Sequence, residues 1–94
     1  INSIATDGKA IKEMESFVDR YKDNVMTKFG EAFPNLDNSD KRLFMYLVLG
    51  FSSRAISIFM NEKIEVVYNR KSRLKQKISR SNSQYKKIFS SLIS

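Results

Sequence analysis

From residue 9 the apolar positions Ile11, Met14, Val18, Tyr21, Val25 and Phe29 recur at alternating steps of three and four, the period of one helix face. Phe17 and Met26 widen the stripe. The pattern predicts one long N-terminal helix, stopped at Gly30 or carried through Ala32 and Phe33 to Pro34. Its apolar face either packs on the rest of the domain or forms a coiled-coil dimer seam. Little more than about two heptads is short for an independent coil.

Residues 34–39, Pro-Asn-Leu-Asp-Asn-Ser, are rich in turn and cap formers. Ser39 or Asn38 can cap the next helix, and Asp40 suits the positive end of its dipole. That helix, residues 41–49, is apolar nearly all round and so belongs in the middle of the domain; Gly50 closes it as a left-handed cap. Ser52-Ser53 then offers a second cap, for a helix from residue 53 to about residue 60 with Ala55, Ile56, Phe59 and Met60 inward. Asn61-Glu62-Lys63 reads as a tight turn. Ile64 or Glu65 opens the last core helix, with Val67, Leu74 and Ile78 inward and the Lys71 ammonium reaching solvent past its apolar stem. Residues 79–83 read as a hinge or frayed end, followed by a small amphipathic stripe of Tyr85, Ile88, Phe89 and Leu92. No strand-period alternation and no internal repeat is visible.

The expected fold is therefore all-α: a small helical bundle holding a helix-turn-helix, with a long N-terminal helix and a short C-terminal one. The expected division is residues 1–36 as N-terminal helix, linker or dimerisation segment, 37–80 as the helix-turn-helix domain, and 81–94 as a C-terminal amphipathic helix. Ninety-four residues suit one small domain. An apolar share of 41% with 29% charged residues argues against wholesale disorder.

Charge sharpens the picture. Residues 1–50 carry 7 Lys/Arg against 8 Asp/Glu, whereas residues 51–94 carry 10 against 2. The electrostatic partner of the chain thus meets its second half: a polyanion, with an anionic membrane surface as the rival. Absence of cysteine and histidine removes disulfides, thiol chemistry and imidazole catalysis, and makes a zinc site unexpected. No apolar run approaches the roughly 20 residues of a membrane span. There is no signal-peptide pattern and the chain opens on Ile1, so a piece of a longer protein is expected.

Residues 50–78 combine a short helix, a tight polar turn and a second helix bearing Arg70, Lys71, Arg73, Lys75 and Lys77. A chain that lays a helix into the major groove of DNA needs this arrangement. The stretch resembles the LuxR/GerE-type helix-turn-helix of bacterial transcription regulators. Gly50-Phe51-Ser52, Ala55-Ile56-Ser57, Met60, the turn, Val66-Val67, Asn69, Leu74 and Ile78 follow that pattern without a gap. The upstream helix with Leu43, Leu47 and Leu49 matches the family's first core helix. The form Met60-Asn61, then Val67-Tyr68-Asn69-Arg70-Lys71, is closest to C-terminal regulator domains of Bacteroidetes. About 40 residues are covered. The resemblance implies a winged-helix-like C-terminal effector fold without a wing. It also implies sequence-specific binding of double-stranded DNA as the output domain of a bacterial transcription regulator.

The chain departs from the pattern at three places. Ala55 replaces an acidic residue, Lys63 stands where a hydroxyl caps the recognition helix, and Glu62 stands where an apolar turn residue is usual. The last helix is therefore expected to start one or two residues from the family's position. Sigma-factor promoter-binding regions share the same core pattern and are an alternative. So is a protein-interaction module on a degenerate helix-turn-helix.

Positions 65, 69, 72 and 73 share a face about opposite Leu74 and Ile78. Asn69 can pair with adenine and Arg73 can grip guanine. Glu65 can accept from cytosine or complement the helix dipole, and Val66 can touch a thymine methyl. Ser72 completes the base-contact candidates. Lys63, Tyr68, Arg70, Lys71, Lys75 and Lys77 are the phosphate candidates, joined by Ser52, Ser53 and Arg54 at a helix N-terminus. The duller readings are a solvated cationic face and a Ser52 that serves only as a cap.

A homodimer on two half-sites is expected, with Ile11, Met14, Val18, Tyr21, Val25 and Phe29, or the stripe of Tyr85, Ile88, Phe89 and Leu92, as seam. RNA polymerase is a further expected partner. No enzyme activity, cofactor, metal or small-molecule substrate is expected. Glu15, Asp19 and Asp23 line one face, but Lys12, Lys22 and Lys28 are interspersed and a solvated face is the reading. No Gly-rich phosphate loop is present. The expected location is cytoplasmic, either free or as the cytosolic end of a larger membrane-anchored protein.

Overall fold

The computed structural model describes residues 8–93, so residues 1–7 and Ser94 lie outside the described residues. Among the described residues six helices make one all-α bundle: α1 (Gly8–Tyr21), α2 (Val25–Ala32), α3 (Asn38–Val48), α4 (Ser53–Phe59), α5 (Ile64–Arg80) and α6 (Lys86–Ile93). No strand occurs among the described residues. No described helix is long and apolar enough to cross a membrane.

The hub is α3. Leu43, Phe44, Met45, Tyr46 and Leu47 are all buried, and α1, α2, α5 and α6 pack around it. A helix buried on every side must be apolar all round, as this one is. Burial also pushes the Tyr46 hydroxyl above its ordinary pKa, partly offset by the guanidinium of Arg42. Its N-terminus is capped by Asp37, not by Asn38 or Ser39: Asp37 Oδ1 accepts the Asp40 N–H at 2.9 Å. Asp37 sits in extended backbone one residue ahead of the helix, the geometry a cap needs.

The single long N-terminal helix is not formed. Asp23 and Asn24 adopt φ 57° and 61°, a left-handed conformation that Asp and Asn tolerate better than other residues with side chains. The chain breaks there into α1 and α2. Asn24 gives no side-chain cap to α2; Asp19 supplies one from α1. Its Oδ1 accepts the N–H groups of Met26 (2.6 Å) and Thr27 (3.1 Å), and its Oδ2 accepts the Thr27 hydroxyl (2.7 Å). The break turns α2 so that Phe29 stacks on Phe44, with centroids 3.8 Å apart and planes 6° from parallel. Phe89 of α6 meets both rings edge-on, at 5.3 and 5.5 Å. Gly30 does not stop α2, which runs to Ala32 before Pro34.

This packing removes most of the expected dimer seam. Val18, Val25 and Phe29 are at most 1% exposed within the chain's own core, and Ile11 and Met14 pack against it. Only Tyr21 (75% exposed) faces solvent, stacked on Phe17 (52%) at 5.3 Å. The second seam fails for the same reason, because Phe89 is fully buried. On α6 the inward residues are Phe89, Leu92 and Ile93, joined by Tyr85 just ahead of the helix, while Ile88 points out. The C-terminal helix is thus part of the one core.

Candidate functional site

Two short corners set the angle between α3, α4 and α5. At the first, Gly50 takes φ 87°, its N–H donates to Leu47 O and the Phe51 N–H to Tyr46 O (3.0 and 3.1 Å). The Phe51 ring lies edge-on to Tyr46 at 6.0 Å. These bonds and this contact define a Schellman closure. The second corner repeats it with Asn61 at φ 53°: Asn61 N–H donates to Ile58 O and Glu62 N–H to Ser57 O. Between them, Ser52 Oγ accepts the Ala55 N–H at 3.1 Å and starts α4. The Ser52 hydroxyl is therefore a cap, Ser53 is half-buried, and Arg54 is exposed.

Helix α5 opens at Ile64, with Lys63 in the cap position making no side-chain cap bond. Val66 and Val67 N–H groups donate to the Lys63 carbonyl. Val67, Leu74 and Ile78 are buried, which fixes the rotation of the helix. Glu65, Asn69, Ser72 and Gln76 are all exposed on the opposite side, within an arc of about 60° at 3.6 residues per turn. No neighbouring element covers this strip among the described residues. Gln76 was not among the residues expected from sequence. It stands seven positions after Asn69, so the periodicity that selected Asn69 also selects it.

Two cations expected at the interface are placed differently. Arg70 points back into the bundle: its guanidinium meets Asp40 Oδ1 at 3.5 Å and Glu62 Oε1 at 3.3 Å, and its side chain is 24% exposed. Arg70 thus links α5 to the first turn of α3 and to the α4–α5 corner, and is not a free phosphate contact. Arg73 leaves the 65–69–72 strip. It lines a cleft of about 510 Å³ with Asp37, Asp40, Arg70, Leu74, Lys77 and Arg80, and Gln76 of the strip borders the same cleft. Val66 and Tyr68 are partly exposed on either side of the strip, and Lys71 is half-buried. Lys75 and Lys77 are exposed. Arg80, read as part of a frayed hinge, continues α5, which ends at Ser81 with the Ser81 hydroxyl donating to Ile78 O at 2.8 Å.

Among the described residues, Lys63, Arg73, Lys75, Lys77 and Arg80 have no ion-pair partner. The array is a polar strip of amide, hydroxyl and carboxylate groups with unneutralised cations on both sides. No group of three or more acidic, His or Cys residues able to hold a metal occurs among the described residues, and Asp19 is engaged as the α2 cap. No family model matches the chain, and no curated protein or solved structure matches it.

Proposed function

We propose that this domain binds double-stranded DNA by laying the exposed strip of α5 into the major groove, as the output domain of a bacterial transcription regulator. Helices α4 and α5 would act as the helix-turn-helix. The observation that carries the reading is the pairing of two features on one helix. Glu65, Asn69, Ser72 and Gln76 form an uncovered face with the donors and acceptors that base edges require. Cations lacking internal partners flank that face and suit phosphates. Such a module works inside the cell, where the DNA is. The expected homodimer now rests on the exposed Phe17–Tyr21 pair, since the rest of the stripe is in the core.

Binding to a random-sequence duplex across a salt series tests the electrostatic part. Three to five phosphate contacts give a slope of log K against log salt between about −2.7 and −4.5. Selection from random duplexes then supplies a preferred site. On that site Asn69→Ala should weaken binding by about 1–3 kcal/mol while leaving random duplex nearly unchanged. Equal losses on both would demote Asn69 to a backbone contact, and a flat salt series would remove the DNA reading.

A further inference from the structure

The cleft on one flank of α5 has an electrostatic asymmetry that the strip alone does not explain. Arg73, Lys77 and Arg80 line it at steps of four and three, so they stack along one side of the helix. Both acids in the cleft wall are already engaged. Asp40 pairs with Arg70, and Asp37 holds the Asp40 N–H as a cap. The three cations have no such partner among the described residues. Four cations against two carboxylates, one of them paired with Arg70, leave the cleft wall net positive, which favours an anion. From Arg73 to Arg80 the helix rises about 10 Å, against one phosphate per about 3.4 Å of axis on each strand. The row is therefore long enough to meet more than one phosphate of a strand.

We infer that this cleft is a phosphate-ester site that seats the backbone of one DNA strand beside α5. The assignment rests on the DNA reading above and adds to it the flank of α5 along which that strand lies. Arg73 then positions the duplex, and base reading falls to Asn69 and Ser72, which lie outside the cleft. The cations are exposed and unpaired, so replacing them leaves the core untouched.

Two measurements on the whole chain test this separately. In the first, inorganic pyrophosphate is titrated into isotopically labelled protein and amide and guanidinium resonances are followed. Shifts centred on Arg73, Lys77 and Arg80, abolished in R73Q/K77Q and retained in R73K/K77R, support the site; shifts elsewhere, or none, overturn it. In the second, duplex binding of the same double variant is measured across salt. Loss of two phosphate contacts should flatten the slope by about 1.8 and weaken selected and random duplexes by the same factor. Duplex binding with an unchanged slope overturns the cleft assignment and leaves the strip of α5 standing. If the unaltered protein binds no duplex, the DNA reading and the strand assignment fall together. The pyrophosphate titration then decides the cleft's phosphate-ester chemistry by itself.

Discussion

Replacing Arg70 by Met separates two roles for a cation in the middle of α5. A phosphate contact would be lost with little effect on folding. The structure instead predicts a stability defect, because Arg70 lies between Asp40 at 3.5 Å and Glu62 at 3.3 Å. The Glu62 oxygen it faces is buried and accepts no hydrogen bond even with Arg70 in place, so removing Arg70 takes away the cation that balances it at 3.3 Å. Breaking a fully buried pair costs about 3–5 kcal/mol, and an exposed pair under about 1. The three side chains keep 24%, 28% and 25% of their exposure, so a loss of about 2 kcal/mol is expected for Arg70→Met. For a domain of this size that lowers Tm by about 8–16 °C. Urea and thermal unfolding followed by far-UV circular dichroism would measure it. The second arm is R70M/E62L, which removes the stranded carboxylate together with its partner. It should regain part of the loss, since apolar replacement of both members of an ion pair is often neutral, while Asp40 is still left without its cation. An Arg70→Met protein melting within about 2 °C of the parent, with a salt slope on DNA reduced by about one, would refute the inward placement.

Three further outcomes follow from the geometry. Asp19→Ala removes the only side-chain acceptor at the start of α2 among the described residues and should destabilise by about 1–2 kcal/mol in urea unfolding. Asp19→Asn, which keeps one acceptor oxygen, should lose less, and equal values for the two would contradict the capping role. Gly50→Ala meets no atom within 4 Å of the added Cβ but must hold φ 87°, so the strain of about 1–2 kcal/mol should appear as lower stability without altered packing by NMR. Tyr46 gives a pH signature: its folded pKa lies above the ordinary 10.0, so the unfolded chain ionises first. Stability is unaffected below that value and falls as pH climbs past it toward the folded pKa. Tyr46→Phe should lessen the alkaline decline in a denaturation series from pH 8 to about 11, and an unchanged decline would refute the assignment.

Much of the bundle was legible because its signals are local. The unbroken apolar run of α3, the closing Gly50, the cap at Ser52 and the inward triad of Val67, Leu74 and Ile78 each follow from residues next to one another in the chain. The break after α1 was not legible from the stripe, because the step from Tyr21 to Val25 keeps helical phase whether or not the helix continues. The Asp23-Asn24 pair and the reach of Asp19 to Thr27 were the signals available, and both concern backbone geometry, not hydrophobicity. Arg70 and Arg73 misled for a related reason. Charge locates a cation on the outer half of a helix, but only the placement of the Asp37–Asp40 segment decides which neighbouring carboxylates it meets. Gln76 and Arg80 were within reach of the same periodicity, extended one turn further along α5. Ile88 and Ile93 show the limit on a short helix, where either could serve as the inward residue until α3 and α5 are in place.

The paired closures at Gly50 and Asn61 also decide where this chain can be cut or enlarged. Each corner ties its carbonyls to amides within three to five residues, so an added loop there would tear both bonds and misalign everything downstream. The connection at residues 34–36 carries a single such tie, Leu36 N–H to Phe33 O, whereas 82–84 is held twice at Ser83, by its carbonyl and its hydroxyl. A reporter, a crosslinking handle or a new pair of termini belongs at residues 34–36.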